Sequence, residues 1–578
     1  MILLARTQGK YEFMLRRFLG FMSSLLKNGK SIFGLILISV FLVLALGASF
    51  LTPYTAIGED PLDRLAPAAS NVPPTWFRSL PTWLGGNPAL SENMVIVQNP
   101  GSPRLIADGG EFGLETDNPN VSATASNINY PYDLPFGYKR YGGEGSLRLT
   151  YTRQGGTAGG EVRTVIFKEF DFPYTGPPSS FYAAIAMQVN GSTALSGVPA
   201  VDKLQVPVKV NVILGPVDGR KWQIWPPVEN IFYDVRIPKG FTKDALTGAP
   251  GPIERPLVGA LVFDNVTGEF IDSGWVTSVK NELSTIRSSS QELINPKSPF
   301  PFPSDPARIV FSANPGKYMF GVEIVFVDTG SAEDVSTTVT IDNFGLLLKG
   351  TSFGLFGATH RGWDIFSQLV HGTRISLYLG ISVAVFSVAI GLAVGLAAGY
   401  SGRIIDELLM RITDVLLVLP GLPLLVVLIA ILGASIDNLV ILLGVLGWMG
   451  FARMVRSQVL SIKERSYVEA AKAIGAGRFH IIINHVLPSV MSLVYISLAT
   501  AVPGAVTAEA ALSWLGFYDP MRMSWGRMLN EAVVEAGAIS SWWWILPPGV
   551  CISFLAASFI LVGYALDEVL NPKLRLRK

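Results

Sequence analysis

The chain has 578 residues, of which 49% are hydrophobic and 15% charged, with a formal net charge of +1 and one cysteine, Cys551. Near-zero charge excludes the broad basic surface that a nucleic-acid partner needs, and a single cysteine excludes both a disulfide framework and a cysteine metal cluster. The length exceeds that of a usual single domain, so more than one region is expected.

A hydrocarbon core about 30 Å thick takes roughly 20 apolar residues in a helix. The first such run is "SIFGLILISVFLVLALGASFLT", Ser31 to Thr52, after a basic arm (1–30) holding Arg16, Arg17, Lys27 and Lys30. Its length and late start predict a permanent span rather than a cleaved signal peptide. The pattern then changes: residues 53–355 are rich in Pro, Gly, Asn, Thr and Val, with alternating stretches such as "VPVKVNVILG", "YMFGVEIVFVD" and "STTVTIDNFGLLLKG". Alternation between turn signals predicts antiparallel strands in two packed sheets, an inserted all-β domain, and its composition resembles sandwiches of jelly-roll type.

Apolar runs return in residues 356–578. Ile375 to Gly402, Val415 to Ser435, Asn438 to Ala452, Val486 to Ala508 and Trp542 to Ala565 bring the expected transmembrane helices to six, with the Asn438 helix extended past Arg453. Lys and Arg are retained in cytoplasmic loops. The N-terminal arm, the Arg403 to Arg411 loop, the Arg453 to Arg478 loop and the tail "NPKLRLRK" therefore lie on the cytoplasmic side. The expectation is a multi-pass protein of the cell membrane with both termini cytoplasmic and the insert extracytoplasmic.

Between the fourth and fifth runs lies a loop, 464–488, with "YVEAAKAIGAGRFHIIINHVLP" at its centre. Propensity predicts a short helix around "ERSYVEAAKAIG", a stop at Gly475 and Gly477, and a second helix re-entering the membrane. Alanines at 470, 471, 473 and 476 keep the first helix thin, as suits a groove in another protein, although a solvated membrane-surface helix has the same composition. "EAA", three residues, Gly, and then Leu-Pro resembles the coupling loop of ATP-binding-cassette importer permeases, with Glu469, Ala470, Ala471, Gly475, Leu487 and Pro488 at the matching positions. "THRGWDIFSQLVHGTRISLYLG" (Thr359 to Gly380), "AGYSGRIIDELLMRITDVLLVLP" (Ala398 to Pro420), "AEAALSWLGFYDPMRMSWGRML" (Ala508 to Leu529) and "DEVLNPKLR" (Asp567 to Arg575) narrow the resemblance to the "C"-type permeases of the dipeptide, oligopeptide and nickel family. It covers the first span and nearly everything from Gly357 onward, but not the insert. Gly357-Ala358-Thr359 and Gly362-Trp363-Asp364 depart from the family's usual Gly-Thr-Asp and Gly-Arg-Asp, removing one acid and one base.

This resemblance implies an α-helical ABC importer permease, a transport subunit rather than an enzyme. It implies half of a translocation pathway for di- or oligopeptides, completed by a second homologous permease. Two cytoplasmic ATPases would bind ATP and Mg²⁺, an extracytoplasmic solute-binding protein would deliver cargo, and this chain would hold no cofactor or metal. The absence of a GxxxxGK[ST] phosphate loop agrees with that division of labour. Gly475 is expected to hold the sharp turn of the elbow, Pro488 to mark where the fifth span begins, and Glu469 to face a basic residue of an ATPase. Pathway or gate candidates are Glu509, Trp514 and Gly516. A carboxylate in a span is a functional candidate, whereas its structural reading is a hydrogen bond to backbone that shapes the "ALSWLG" bend. Arg411 and Asp414, one turn apart, are expected to pair locally or to meet the ATPase.

Oligosaccharide transport within the same architecture is the alternative, as is a membrane-anchored glycan-binding surface protein, although simple anchors do not need breaks at Pro420, Pro423, Pro503, Pro547 and Pro548. Nickel transport lacks support, since His360, His371, His480 and His485 do not cluster outside. In the insert, Glu169 and Asp171 share one strand face. Paired carboxylates could serve glycoside hydrolysis, but a solvated face is the simpler reading. Trp222, Trp225 and Trp275 could stack on sugars or fill a core, and Asn120, Asn190 and Asn265 begin glycosylation-type triplets. The insert is expected to dock the binding protein, bind glycan weakly, or act as a spacer.

Overall fold

The structure is a computed structural model. It describes residues 28–54, 66–96, 105, 107, 110–126, 145–189, 208–219, 222–223, 228–231, 261–263, 270–272, 276–281, 306–312, 314–328, 330, 332, 334–536 and 541–570. The chain forms two compact units, one from Met1–Glu59 with Trp363–Lys578 and one from Asp60–Gly362. The expectations placed on Trp225, Trp275, Asn190 and Asn265 lie outside the described residues.

The first unit is helical. Helix α1 (Gly29–Leu51) begins where the Asn28 side chain accepts from the Lys30 N–H, and it ends where the Thr52 hydroxyl donates to the Ala48 carbonyl. Helix α2 (Ile365–Ser401) starts at Asp364, whose carboxylate accepts from the N–H groups of Phe366 and Ser367. At 1.5 Å per residue its 37 residues span about 55 Å, well beyond the hydrocarbon thickness. Helices α3 (Arg403–Val418) and α4 (Gly421–Leu432) meet at a bend of 86°. The run from Val415 to Ser435 is therefore not one straight span. Leu419 is extended (φ −66°, ψ 135°), the conformation forced on a residue before proline, and Pro420 sets the corner.

Helices α5 (Ile436–Gly447) and α6 (Met449–Ile462) continue each other across Trp448, so the fourth span passes Arg453 as expected. After a short helix α7 (Ser466–Ala473) the fifth span runs through α8 (Arg478–Ile481), a π-helical turn (Ile482–Val486) and α9 (Leu487–Trp514). It begins at Arg478, not at Pro488. A proline cannot donate to the carbonyl four residues back, and its ring crowds that carbonyl. The π turn before it widens the helix, with the Leu487 N–H bonding back to the Ile482 carbonyl. Helices α10 (Trp525–Ala536) and α11 (Trp542–Leu570) complete the unit. Among the described residues, five helices are long and apolar enough to cross a membrane, and the bent pair α3–α4 would make a sixth.

Glycine decides how these helices pack. Gly391, Gly395 and Gly399 repeat every four residues along α2 and lie against α6. A Cβ at Gly391 would stand 2.8 Å from the Trp448 carbonyl, one at Gly395 2.6 Å from Val455 Cβ, and one at Gly399 2.7 Å from Val459 Cβ. Between helices in lipid there is little hydrophobic gain, so close backbone approach supplies the attraction.

The second unit is built of strands: β1 (Met94–Val95), β2 (Gly113–Thr116), β3 (Val121–Ser126), β4 (Ser146–Arg153), β5 (Glu161–Phe172), β6 (Ser180–Val189), β7 (Val208–Pro216), β8 (Trp222–Gln223), β9 (Val228–Ile231), β10 (Leu261–Phe263), β11 (Phe270–Asp272), β12 (Val276–Asn281), β13 (Gly316–Val327) and β14 (Val335–Lys349). One sheet has the order β12-β6-β14-β4-β3 with β1 on β14, the other β2-β5-β13-β7-β8 with β9 on β7, and β10–β11 form a pair apart. Side chains of both sheets meet in one core that includes Leu149, Ile341 and Leu348 from the first and Ile166, Val212 and Phe320 from the second. In β13 Tyr318, Phe320, Val322, Ile324 and Phe326 are all fully buried on the core face, and Met319 and Val325 between them are buried as well. A buried ionic cluster sits beside this core: Arg153 forks onto Asp328, and Tyr151 donates to the same carboxylate at 3.0 Å. Glu169 and Asp171 are exposed on the outer face of β5, opposite Met319 and Lys317, as a solvated strand face would have them.

The two ends of this unit run side by side. The Ala68 N–H donates to the Gly362 carbonyl, Asn71 to Thr359, Ala358 to Val72, Phe353 to Pro73 and Thr75 to Gly354.

Candidate functional site

The elbow between α6 and α9 is assembled by a left-handed stop. Gly475 has φ +84°, its N–H donates to the Lys472 carbonyl, and the Ala476 N–H donates to the Ala471 carbonyl. These two bonds are the paired closure of a Schellman motif. A Cβ at 475 would meet nothing within 4 Å, so the requirement for glycine is purely conformational. Gly477 has a negative φ and serves as the N-cap of α8.

Helix α7 has two faces. Val468 and Ala471 pack into a cluster with Val459, Ile462, Ile481, Val486 and Val490, which fastens the elbow to both adjoining spans. Glu469, Ala470 and Gly475 are exposed on the other side, joined by Ile474 (86% exposed) and Phe479 (76% exposed). A patch of one carboxylate and two bare apolar side chains is the composition of a protein-docking surface, and Ile474 and Phe479 were missed by the motif because it fixes only small residues. Leu487 is half-buried and Pro488 exposed at the base of α9. Lys472 leans away from this patch, its Nζ 3.4 Å from the Lys463 carbonyl.

Two ion pairs brace α6 from the α3 side. Arg456 donates through Nε and Nη2 to the two carboxylate oxygens of Asp406, and Arg453 pairs with Asp414. Asp414 thus meets a residue on α6 instead of Arg411. The partner lies 39 positions away, beyond the reach of a one-turn argument.

Glu509 occupies a different place, near the far end of α9. It is 1% exposed, and its Oε1 accepts from the hydroxyls of Ser513 at 2.7 Å and Ser524 at 2.6 Å. Those donors are hydroxyls, not the backbone groups expected. Ser524 also caps α10, since the Arg527 N–H donates to its Oγ and the Met528 N–H to its carbonyl. Glu509 therefore ties the end of the fifth span to the start of the next helix. The bend itself is a second Schellman stop: Gly516 has φ +91°, its N–H donates to Ser513, and the Phe517 N–H donates to Leu512. Trp514 is half-exposed and its carbonyl accepts from Asn530 Nδ2. The fastening continues beyond what sequence reasoning found. Trp525 donates through Nε1 to the Leu369 carbonyl, and Arg527 reaches Glu531 and the carbonyl of Pro520.

Comparison with known proteins decides the family. Residues 391–576 match the family described as "Binding-protein-dependent transport system inner membrane component". The chain is 38% identical over 221 residues to the dipeptide transport system permease protein DppC of Bacillus subtilis, covering 38% of this chain and 69% of that one. The chain belongs to this permease family. The oligopeptide transport system permease protein OppC of Bacillus subtilis is 35% identical over 222 residues, which are 38% of this chain and 72% of that protein. Among solved structures, an inward-facing MetNI methionine ABC transporter is similar over 34% of this chain and 96% of its own, at 19% identity and a TM-score of 0.29. The permease is an integral membrane transport subunit with a separate β-sheet region.

Proposed function

We propose that this permease forms half of the translocation pathway of an ABC importer for di- or oligopeptides. A second homologous permease supplies the other half, two cytoplasmic ATPases bind ATP and Mg²⁺, and an extracytoplasmic binding protein delivers cargo. In this reading the bent pair α3–α4 counts as one span, giving six, with both termini cytoplasmic and the insert outside. The elbow 464–488 couples to an ATPase through Glu469, Ala470, Ala471 and Gly475, with Leu487 and Pro488 at its root. Glu509, Trp514 and Gly516 anchor the outer end of the fifth span as a pathway or gate element.

The observation that carries this reading is the geometry of α7. One face is locked by Val468 and Ala471 to the ends of two spans, while the other presents Glu469, Ile474 and Phe479. A partner that moves this helix must move α6 and α9 with it. ATP binding can drive such a change only through differential affinity for two conformations. Peptides follow from the relatives named for dipeptide and oligopeptide transport.

The test is reconstitution with the partner subunits in proteoliposomes, reading ATP-dependent uptake of a labelled tripeptide and substrate-stimulated ATP hydrolysis. Gly475→Pro cannot reach a positive φ, and Glu469→Arg inverts a charge on the exposed face. Each is expected to insert normally yet to lose both activities. Normal stimulated hydrolysis in either variant would overturn the coupling role, and robust uptake of oligosaccharide but not peptide would overturn the cargo.

A further inference from the structure

The π-helical turn at the root of the fifth span brings two histidines together. His480 and His485 are five residues apart, and at 3.6 residues per turn an α-helix would set their side chains about 140° apart around its axis. The turn Ile482–Val486 bonds residues five apart instead, which moves such positions toward one side. The two rings accordingly stand 6.2 Å apart, centroid to centroid, with their planes at 66°. Turns of this kind are frequent at functional sites.

Both rings have a nitrogen to offer. Asn484 Nδ2 donates to the His480 carbonyl at 3.0 Å, so it is the amide nitrogen that also faces His480 Nδ1, at 3.1 Å. An amide N–H only donates, which leaves the lone pair on Nδ1. A metal ion can take that pair in place of the amide, whose other hydrogen stays on the carbonyl. The His485 ring lies 6.3 Å from the Tyr467 ring and, among the described residues, has no hydrogen-bond partner. His480 is exposed and His485 half-buried, so the pair is open to solvent. Neutral imidazole suits zinc, nickel and copper, and zinc holds it at about 2.0–2.1 Å. Two rings sharing one ion at that bond length come to roughly 5 Å between centroids. Closing from 6.2 Å takes only small rotations of two side chains.

We propose that His480 and His485 form a surface chelate for one divalent transition-metal ion of the zinc, nickel and copper group, with water completing the shell. Mg²⁺ is not such an ion, because it keeps to oxygen ligands. The chelate closes across the turn from outside. Ile481 and Val486 already hold the same turn from inside, in the cluster that contains Val468 and Ala471. A bound ion therefore stiffens the root of the elbow. It needs only the geometry of the turn, and neither the cargo nor the ATPase reading enters it.

The test uses the full chain alone in detergent, with Cys551→Ser to remove the thiol and without a polyhistidine tag. It is titrated calorimetrically with Cu²⁺, Ni²⁺ and Zn²⁺ in turn. A single equivalent of each is expected, with Cu²⁺ bound most tightly, as affinities of first-row divalent ions run. Pulsed electron paramagnetic resonance of the Cu²⁺ form is expected to show two coupled imidazoles. His480→Ala and His485→Ala should each weaken binding at least roughly tenfold, since loss of a ligand's outer-shell partner alone costs that much. Undiminished binding in either variant, or no binding by the parent chain, would overturn the chelate. A spectrum with one imidazole would overturn it equally, and that spectrum is taken with both histidines present, so it decides even where a variant misfolds.

Discussion

The two units of this chain are held together by opposite uses of side-chain volume. In the β unit, β13 presents Tyr318, Phe320, Val322, Ile324 and Phe326 to a core that is filled by large residues. In the helical unit, α2 presents Gly391, Gly395 and Gly399 to α6, and the contact exists because there is nothing on those Cα atoms. The difference follows from solvent. Water drives apolar volume into the sandwich core, whereas lipid is as apolar as leucine and rewards only closeness and hydrogen bonding. A substitution that empties space should therefore harm one unit, and a substitution that fills space the other.

The strongest expected effect is Phe320→Ala. Truncating a fully buried aromatic removes about 3–5 kcal/mol, and hydrogen exchange should show the loss in residues 316–327 while α2 and α6 keep their protection. Equal loss of protection in α2 would erase the distinction between the units. Next comes Gly395→Ala, whose single methyl would enter a space 2.6 Å from Val455 Cβ. Overpacking of this kind costs about 1–3 kcal/mol, to be read as a lower unfolding midpoint in detergent with the strands unaffected. Gly475→Ala is milder still, at about 1–2 kcal/mol for an L residue held at positive φ. It has open space around it, so any larger effect on stability would mean that the elbow is packed more tightly than its geometry indicates.

Acid should separate the units most gently. Burial opposes the charge on Asp328, but hydrogen bonds from Arg153, the Gly330 N–H and Tyr151 outweigh it and hold the carboxyl below the usual range. A carboxyl lowered in the folded state stabilises fully above its unfolded value of about 3.9, and that contribution is lost as pH falls below it. The β unit should therefore lose stability below about pH 4, and Asp328→Asn should flatten that acid limb. An unchanged acid limb in the variant would remove Asp328 from the account.

Much of this architecture was readable from the chain, for reasons that differ by element. Long uncharged runs marked α1, α2, α9 and α11 because a lipid-facing helix tolerates no charge. "YMFGVEIVFVD" and "STTVTIDNFGLLLKG" announced β13 and β14 because β-branched and aromatic runs bounded by turn residues suit strands. The elbow was legible at Gly475, where only one residue type suits the conformation. Partnerships between distant residues were not. Asp414 finds Arg453 and Glu509 finds Ser524, and neither spacing has a local signature. The glycine repeat of α2 was visible in "GLAVGLAAG", yet it reads as greasy sequence until α6 is placed against it. Pro420 was visible as a break, but the 86° turn there was not, since hydropathy is blind to direction.

The ladder between residues 68–75 and 353–362 makes the β unit an excisable cassette. Its chain arrives and departs through neighbouring hydrogen-bonded segments, so a graft joining residue 66 to residue 362 needs to bridge only the width of one pair of hydrogen-bonded chains, about 5 Å. A domain with that plumbing enters and leaves the sequence through a single doorway.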